Sequence, residues 1–225
     1  MEEFGPYIYK FAMALPGILL AIVCHEYGHG AMALKFGDNT ALKAGRLTFN
    51  PIPHLDLLGS FIAPLIGILL GGMAFGWAKP IPINTRNFSQ KNFKKAVFWV
   101  SFAGPLANFV LTVIFALLAA IVSTQLPPDF SLTRPLYLIF EQGMFINCIL
   151  GTFNILPLPP LDGSKMLAMY VGPKGEQILQ TMGNYSFFIL LLLIFTNALS
   201  LVLTPVAMLS YYLMKFFEYF LGTYV

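Results

Sequence analysis

Between Phe11 and Leu34 the chain is apolar except at one place, His25-Glu26-Tyr27-Gly28-His29. An apolar run of this length predicts a helix that crosses a lipid bilayer. An ionised side chain at the centre of such a helix costs at least ~2.5–3.5 kcal/mol, so these residues are placed there to make a site. On a helix, residues four apart stack on one face, about one turn along the axis. His25 and His29 can therefore hold one metal ion together. Glu26 adjoins the first of them, where it can reach a water at that ion. The bland alternative is two unconnected histidines in a polar patch at a helix end.

Composition agrees with the membrane reading. Of 225 residues, 57% are hydrophobic and 10% charged, and the mean hydropathy is +0.74. Soluble domains carry about 25% charged residues. An integral membrane protein with several spans is implied, with no length left for a sizeable soluble domain. A net charge of +3 gives no footing for nucleic acid. Cys24 and Cys148, the only cysteines, both lie in apolar runs. That argues against a disulfide scaffold and against a cysteine-rich metal site. Met1-Glu2-Glu3 is acidic where the start of a cleaved leader is basic, so the first helix is expected to be retained.

The expected fold class is an all-α polytopic membrane protein. It has five to six transmembrane helices, a re-entrant segment and short β-hairpin-like loops, in one membrane-embedded domain over 1–225. Expected spans are 7–36, 96–123, 135–156, 176–203 and 205–222, the last two divided at Thr204-Pro205. Residues 39–50 alternate weakly around Gly45-Arg46 and suggest a hairpin. The run 57–75 is apolar enough to span, but Gly59, Pro64, Gly67, Gly71 and Gly72 suit a re-entrant path. A short amphipathic connector covers 164–174.

Two histidines do not complete a catalytic zinc site, which takes three protein ligands and keeps a fourth position for water. Asp162 has an unusual setting. Pro157, Pro159 and Pro160 precede it and Gly163 follows, so an ordinary helix cannot continue there. Irregular backbone at membrane depth is tolerated only beside protein or a wet cavity. Asp162 is thus either the third ligand or a cap for a helix starting near Ser164.

At this point the sequence resembles the site-2 proteases, the intramembrane zinc metalloproteases. The resemblance rests on His25-Glu26-Tyr27-Gly28-His29 paired with Asn154-Ile155-Leu156-Pro157-Leu158-Pro159-Pro160-Leu161-Asp162-Gly163. The stretches 50–56, 75–80 and 103–108 resemble the compact prokaryotic branch, without PDZ-like or CBS-like segments. Where that family often has proline after the aspartate of the 50–56 motif, this chain has Leu57. The resemblance implies a catalytic core over about 7–170, with additional C-terminal helices over about 176–222. It implies one Zn2+ per chain on His25, His29 and Asp162, with Glu26 as the base. It further implies that Asn154 holds the substrate carbonyl or oxyanion; the alternative is a helix-end hydrogen bond. His54 and Asp56 could support the ligating histidines or be ordinary loop residues. Asn108 is expected to bridge helices.

The ligand set constrains topology, because His29 and Asp162 must meet on one side. With 57–75 re-entrant, every Lys and Arg except Lys10 and Arg134 falls on that side. Such a bias marks the cytoplasm. The expectation is therefore a multi-pass protein of the cell membrane with its site toward the cytoplasm. Its partners would be the lipid bilayer and a transmembrane protein substrate, cut in regulated intramembrane proteolysis. The competing readings are a membrane metal transporter or metal sensor, and a catalytically silent relative that binds helices. Transport would call for ionisable residues along several helices, and the later spans are nearly free of them.

Overall fold

The computed structural model describes residues 5–62 and 78–222. They form eight α-helices: α1 Gly5–Lys35, α2 Thr40–Lys43, α3 Phe93–Gln125, α4 Thr133–Ile155, α5 Asp162–Ala168, α6 Gly172–Asn184, α7 Ser186–Phe195 and α8 Ser200–Leu221. Single 3-10 turns lie at Ile52–His54, Thr85–Asn87 and Gln90–Asn92, and a π turn at Leu57–Ile62. Among the described residues, four helical stretches are long and apolar enough to cross a membrane: Ile8–Lys35, Gln90–Gln125, Thr133–Ile155 and Ser200–Leu221. Large apolar side chains such as Phe11, Val110, Leu192 and Leu201 are exposed on the bundle's outside, as lipid requires.

Helix α3 is the centre, in contact with α1, α4, α5 and α8. Small residues let the helices approach, the usual device where lipid tails compete with any apolar side chain for contact. Ala116, Ala119 and Ala120 of α3 pack with Phe115 on Met144 of α4 and Met214 of α8. At the α1–α4 crossing, a Cβ on Gly17 would lie 2.6 Å from the Gly143 Cα. At the α1–α3 crossing, one on Gly28 would lie 2.6 Å from the Ala103 carbonyl oxygen.

Side-chain contacts set the helix directions. Ala33 of α1 packs with Ala96 and Val100 near the start of α3, so α1 and α3 are antiparallel. Ser123 Oγ near the end of α3 donates to Glu218 Oε1 near the end of α8, so these two are parallel. The chain therefore leaves α4 and enters α8 at the same end of the bundle. Helices α6 and α7 meet at 73°, and with α4 left and α8 entered at one end of the bundle they belong to a stretch that starts and finishes at that end. This corrects the expected span 176–203, which is broken at Tyr185 and again before Ser200. The break falls where Asn197 adopts a left-handed φ of 55°. Pro205, expected to divide two spans, lies inside α8. Lys215 joins Lys10 and Arg134 at the far end and pairs there with Glu218 at 2.6 Å.

Two further expectations meet the structure. No β-strand occurs among the described residues, and the expected hairpin at 39–50 is the one-turn helix α2 followed by turns. Asp38 explains this: its carboxylate accepts the Thr40 N–H and hydroxyl, starting a helical turn that Gly45 ends at φ 65°. Most of the expected re-entrant run 57–75 lies outside the described residues. Its described flanks are tied to each other, the Lys79 N–H donating to the His54 carbonyl at 2.9 Å.

Candidate metal centre

His25 and His29 face α3 one turn apart, and α5 brings Asp162 across to them. All three are buried, at 7%, 7% and 5% exposure. The His25 and His29 Nε2 atoms are 3.0 Å apart, and Asp162 Oδ2 is 3.2 Å and 3.0 Å from them. His29 is six residues before the end of α1, so the group lies about 9 Å inside the bundle end. Its backbone explains why Asp162 arrives here. Helix α4 ends at Ile155, and Gly163 lies so close to it that a Cβ would meet the Ile155 carbonyl oxygen. Only glycine permits that approach. Asp162 is the first residue of α5, whose N-cap position is held by Leu161, so it does not occupy the cap position that the alternative role required. Its Oδ1 instead accepts from Lys165 Nζ at 2.9 Å, leaving Oδ2 for the histidines.

The protons on the rings follow from their neighbours. His29 Nδ1 is 2.6 Å from the Val100 carbonyl oxygen, which can only accept, so Nδ1 carries the hydrogen. His25 Nδ1 is 2.7 Å from Asn108 Oδ1. The Asn108 amide is oriented by Nδ2, which donates to the Ala21 carbonyl at 3.0 Å and to Asn147 Oδ1 at 3.0 Å. Its Oδ1 therefore accepts from His25 Nδ1–H. Both Nε2 atoms are left with lone pairs, and both point at a carboxylate oxygen.

Three acceptor atoms in van der Waals contact repel one another unless a cation lies among them. A proton can bridge two of them; a metal ion answers all three. Ligand atoms at 2.0–2.1 Å from a tetrahedral zinc ion are separated by about 3.3 Å, within a few tenths of the observed edges. The donor set fits zinc, and these three residues could hold it. Neither cysteine belongs to the group.

The floor of the site is one stripe of α3. The Val100 carbonyl accepts from His29 Nδ1–H, Asn108 Oδ1 accepts from His25 Nδ1–H, and Gly104 between them leaves room for both rings. A Cβ on Gly104 would lie 2.4 Å from His29 Nε2 and 2.8 Å from His25 Nε2. Glu26 sits at the edge of the site, where its Oε2 accepts the Ile81 N–H at 2.6 Å. Pro80 and Pro82 lack N–H groups, so Ile81 is the single donor in that stretch. The segment is braced from behind by Arg46 Nη2, which donates to the Lys79 carbonyl at 2.8 Å. It is tied further on by the Asn84 N–H, which donates to Asp38 Oδ2 at 2.8 Å.

The structure thus brings His25, His29 and Asp162 together. Asn154 is engaged differently: its Nδ2 donates to the Leu150 carbonyl at 3.0 Å, one turn back on α4. His54 does not support the ligands. It is fully buried in the 48–54 loop, where Nε2–H donates to the Thr48 carbonyl at 2.9 Å. Asp56 Oδ1 accepts the Gly59 N–H at 2.7 Å, within its own turn. The supports of the two ligating rings are Asn108 and Val100 instead. Asn147, Gly104 and Ile81 are not legible as site residues from spacing. The one available signal was an asparagine in an apolar span, which must find a partner.

Residues 131–196 match the model of peptidase family M50. The chain is 38% identical over 189 residues to "Putative zinc metalloprotease YwhC" of Bacillus subtilis, covering 84% of this chain and 82% of that one. It is 30% identical over 203 residues to "Putative zinc metalloprotease Rip2" of Mycolicibacterium smegmatis, covering 86% and 71%. A third similar protein, "Putative zinc metalloprotease MJ0611" of Methanocaldococcus jannaschii, is 29% identical with 71% of each chain covered. No solved structure matches. With sequence shared over more than four fifths of both chains in the first of these pairs, around a buried His-His-Asp group, the chain belongs to peptidase family M50.

Proposed function

We propose that this chain is an intramembrane zinc endopeptidase of the site-2 type. It would hydrolyse peptide bonds in or near transmembrane segments of other membrane proteins, as a step of regulated intramembrane proteolysis. The observation that carries the reading is the buried triangle of three acceptor atoms inside the end of an apolar bundle. His25, His29 and Asp162 would hold the metal, with Nε2, Nε2 and Oδ2 as the donor atoms that face one another. Zinc there would polarise the scissile carbonyl and lower the pKa of water toward ~7.

Glu26 is the general base. The Ile81 N–H holds its Oε2, so Oε1 is the oxygen that takes the proton of the attacking water and passes it to the leaving amine. Asn154 has a second amide hydrogen besides the one given to Leu150, and that hydrogen steadies the substrate carbonyl as negative charge develops. A substrate helix satisfies its own peptide groups, so it must unwind before cleavage. The extended stretch 79–84 is the backbone that could receive it. Residues 40–50 turn through α2 and offer no such extended backbone.

The His25, His29 and Asp162 group lies near the end of the bundle that gathers Lys35, Lys43, Lys79, Arg86 and Lys165. That bias supports a site facing the cytoplasm at the cell membrane. The test is the position of the cut. A single-span protein is co-reconstituted with the purified chain, and the products are mapped by mass spectrometry with and without a zinc chelator. Chelator-sensitive cleavage inside or within a turn of the apolar segment supports the proposal. Cleavage confined to soluble regions would refute it.

A further inference from the structure

We infer that Asn108 and Asn147 are positioning residues for His25, joined in a one-way chain of hydrogen bonds that leaves Nε2 free for the metal. The inference rests on the zinc reading above and concerns how one ligand is kept in the binding form.

The direction of the chain is fixed at its far end. Asn147 Nδ2 donates to the Gly143 carbonyl at 2.8 Å. A carbonyl accepts and never donates, so the Asn147 amide nitrogen faces Gly143 and its Oδ1 faces Asn108. Asn108 must then present Nδ2 to Asn147 Oδ1, at 3.0 Å, which turns its own Oδ1 toward His25. His25 answers with Nδ1–H, at 2.7 Å. Reversing either amide would set oxygen against oxygen on one side of it and N–H against N–H on the other. Both amides are fully buried, so no water relieves that conflict.

His25 and His29 are prepared by different devices. His29 needs only the Val100 backbone carbonyl, which cannot turn. His25 depends on a side-chain amide that could rotate if nothing held it. Two carbonyls on two helices hold it: Ala21 on α1 directly, and Gly143 on α4 through Asn147. Gly143 also packs against Gly17 where α1 crosses α4. The chain therefore couples the packing of three helices to the state of one metal ligand. Asn147 touches no ligand, so it acts through Asn108 alone.

The experiment measures zinc affinity of the full chain in detergent, by competition with a chromophoric chelator. Outer partners of ligating histidines typically account for about 10–100-fold in metal affinity. Asn108→Leu should weaken zinc by that much. Asn147→Leu should weaken it by a smaller factor, about 3–10-fold, because Ala21 still holds Asn108. Asn108→Asp keeps an acceptor for Nδ1–H and should recover part of what Asn108→Leu loses, which a merely structural role would not predict. A second measurement needs no variant. In the zinc-loaded native chain labelled with 15N-histidine, NMR should show His25 protonated at Nδ1 and bound through Nε2. Binding of His25 through Nδ1, or native affinity in both leucine variants, overturns the inference while the zinc site stands. A native chain that takes up no zinc overturns the zinc reading, and the inference with it.

Discussion

Replacing Gly104 by alanine tests the metal site and the fold separately. In the interior of a helix, alanine is favoured over glycine by about 0.8–1 kcal/mol, so Gly104→Ala should help α3 if helix formation were all that mattered. The site argues the opposite for zinc. The new Cβ would lie 2.4 Å from His29 Nε2, 2.6 Å from His29 Cε1 and 2.8 Å from His25 Nε2, where ordinary contact begins at 3.4 Å. The His29 ring must retreat by about 1 Å, several times the ~0.2 Å within which metal–ligand distances normally hold. Parting the helices would also break the close approach of Gly28 to the Ala103 carbonyl. A displacement of this size is worth about 100-fold in activity and should cost at least as much in zinc affinity. The assay pairs zinc per chain, under limiting chelator, with thermal unfolding of the metal-free chain. Zinc should be lost, while the metal-free chain, in which the displaced ring offsets the gain in helix propensity, should still unfold cooperatively within a few degrees of the native temperature. A Gly104→Ala chain that binds zinc like the native one would show that the two rings do not rest on α3 as described.

Other outcomes follow from the segment that holds Glu26. Ile81→Pro removes the only N–H between Lys79 and Ile83, so zinc should stay bound while cleavage falls about 10-fold or more, a part of the roughly 100–10,000-fold that a well-placed acid–base group contributes. Unchanged cleavage would mean that Glu26 needs no such support. Asp38 anchors the far end of that segment. Burial acts to raise its pKa, but hydrogen bonds from Thr40, Asn84 and Asn87 outweigh it and lower the value. A depressed carboxyl stabilises the fold fully above its unfolded value, near 3.8, and loses the contribution as pH falls through the folded value. Asp38→Asn should therefore cost about 1.5–3 kcal/mol at pH 7, with the gap to the native chain closing only below about pH 4. A gap already closed at pH 5 in thermal unfolding would contradict the assignment.

The ligands were legible because their chemistry is local. His25 and His29 are one helical turn apart, and the prolines before Asp162 mark backbone that cannot be helix. What surrounds them was not legible, because it arises from three helices in register. Ala21, His25 and His29 on α1 face Val100, Gly104 and Asn108 on α3, with Gly143, Asn147 and Gly151 of α4 behind. Each set has four-residue spacing, but nothing in the sequence says which set meets which. Apolar runs located α1, α3 and α4 to within a few residues of their ends. They failed at 176–203, where hydropathy cannot register the left-handed Asn197 or the 73° bend at Tyr185. Weak alternation at 39–50 suggested strands because it carries no information about Asp38, whose hydrogen bonds to Thr40 favour a turn.

The most direct test of the account compares the native chain with Glu26→Gln in reconstituted membranes containing a single-span substrate, with zinc measured on the same samples. Glutamine keeps the shape of Glu26 and can still accept the Ile81 N–H, but it cannot take a proton from water. Both proteins should carry one zinc per chain, and only the native one should cleave. Cleavage by Glu26→Gln at the native rate, or a native chain that cleaves without zinc, would contradict the account.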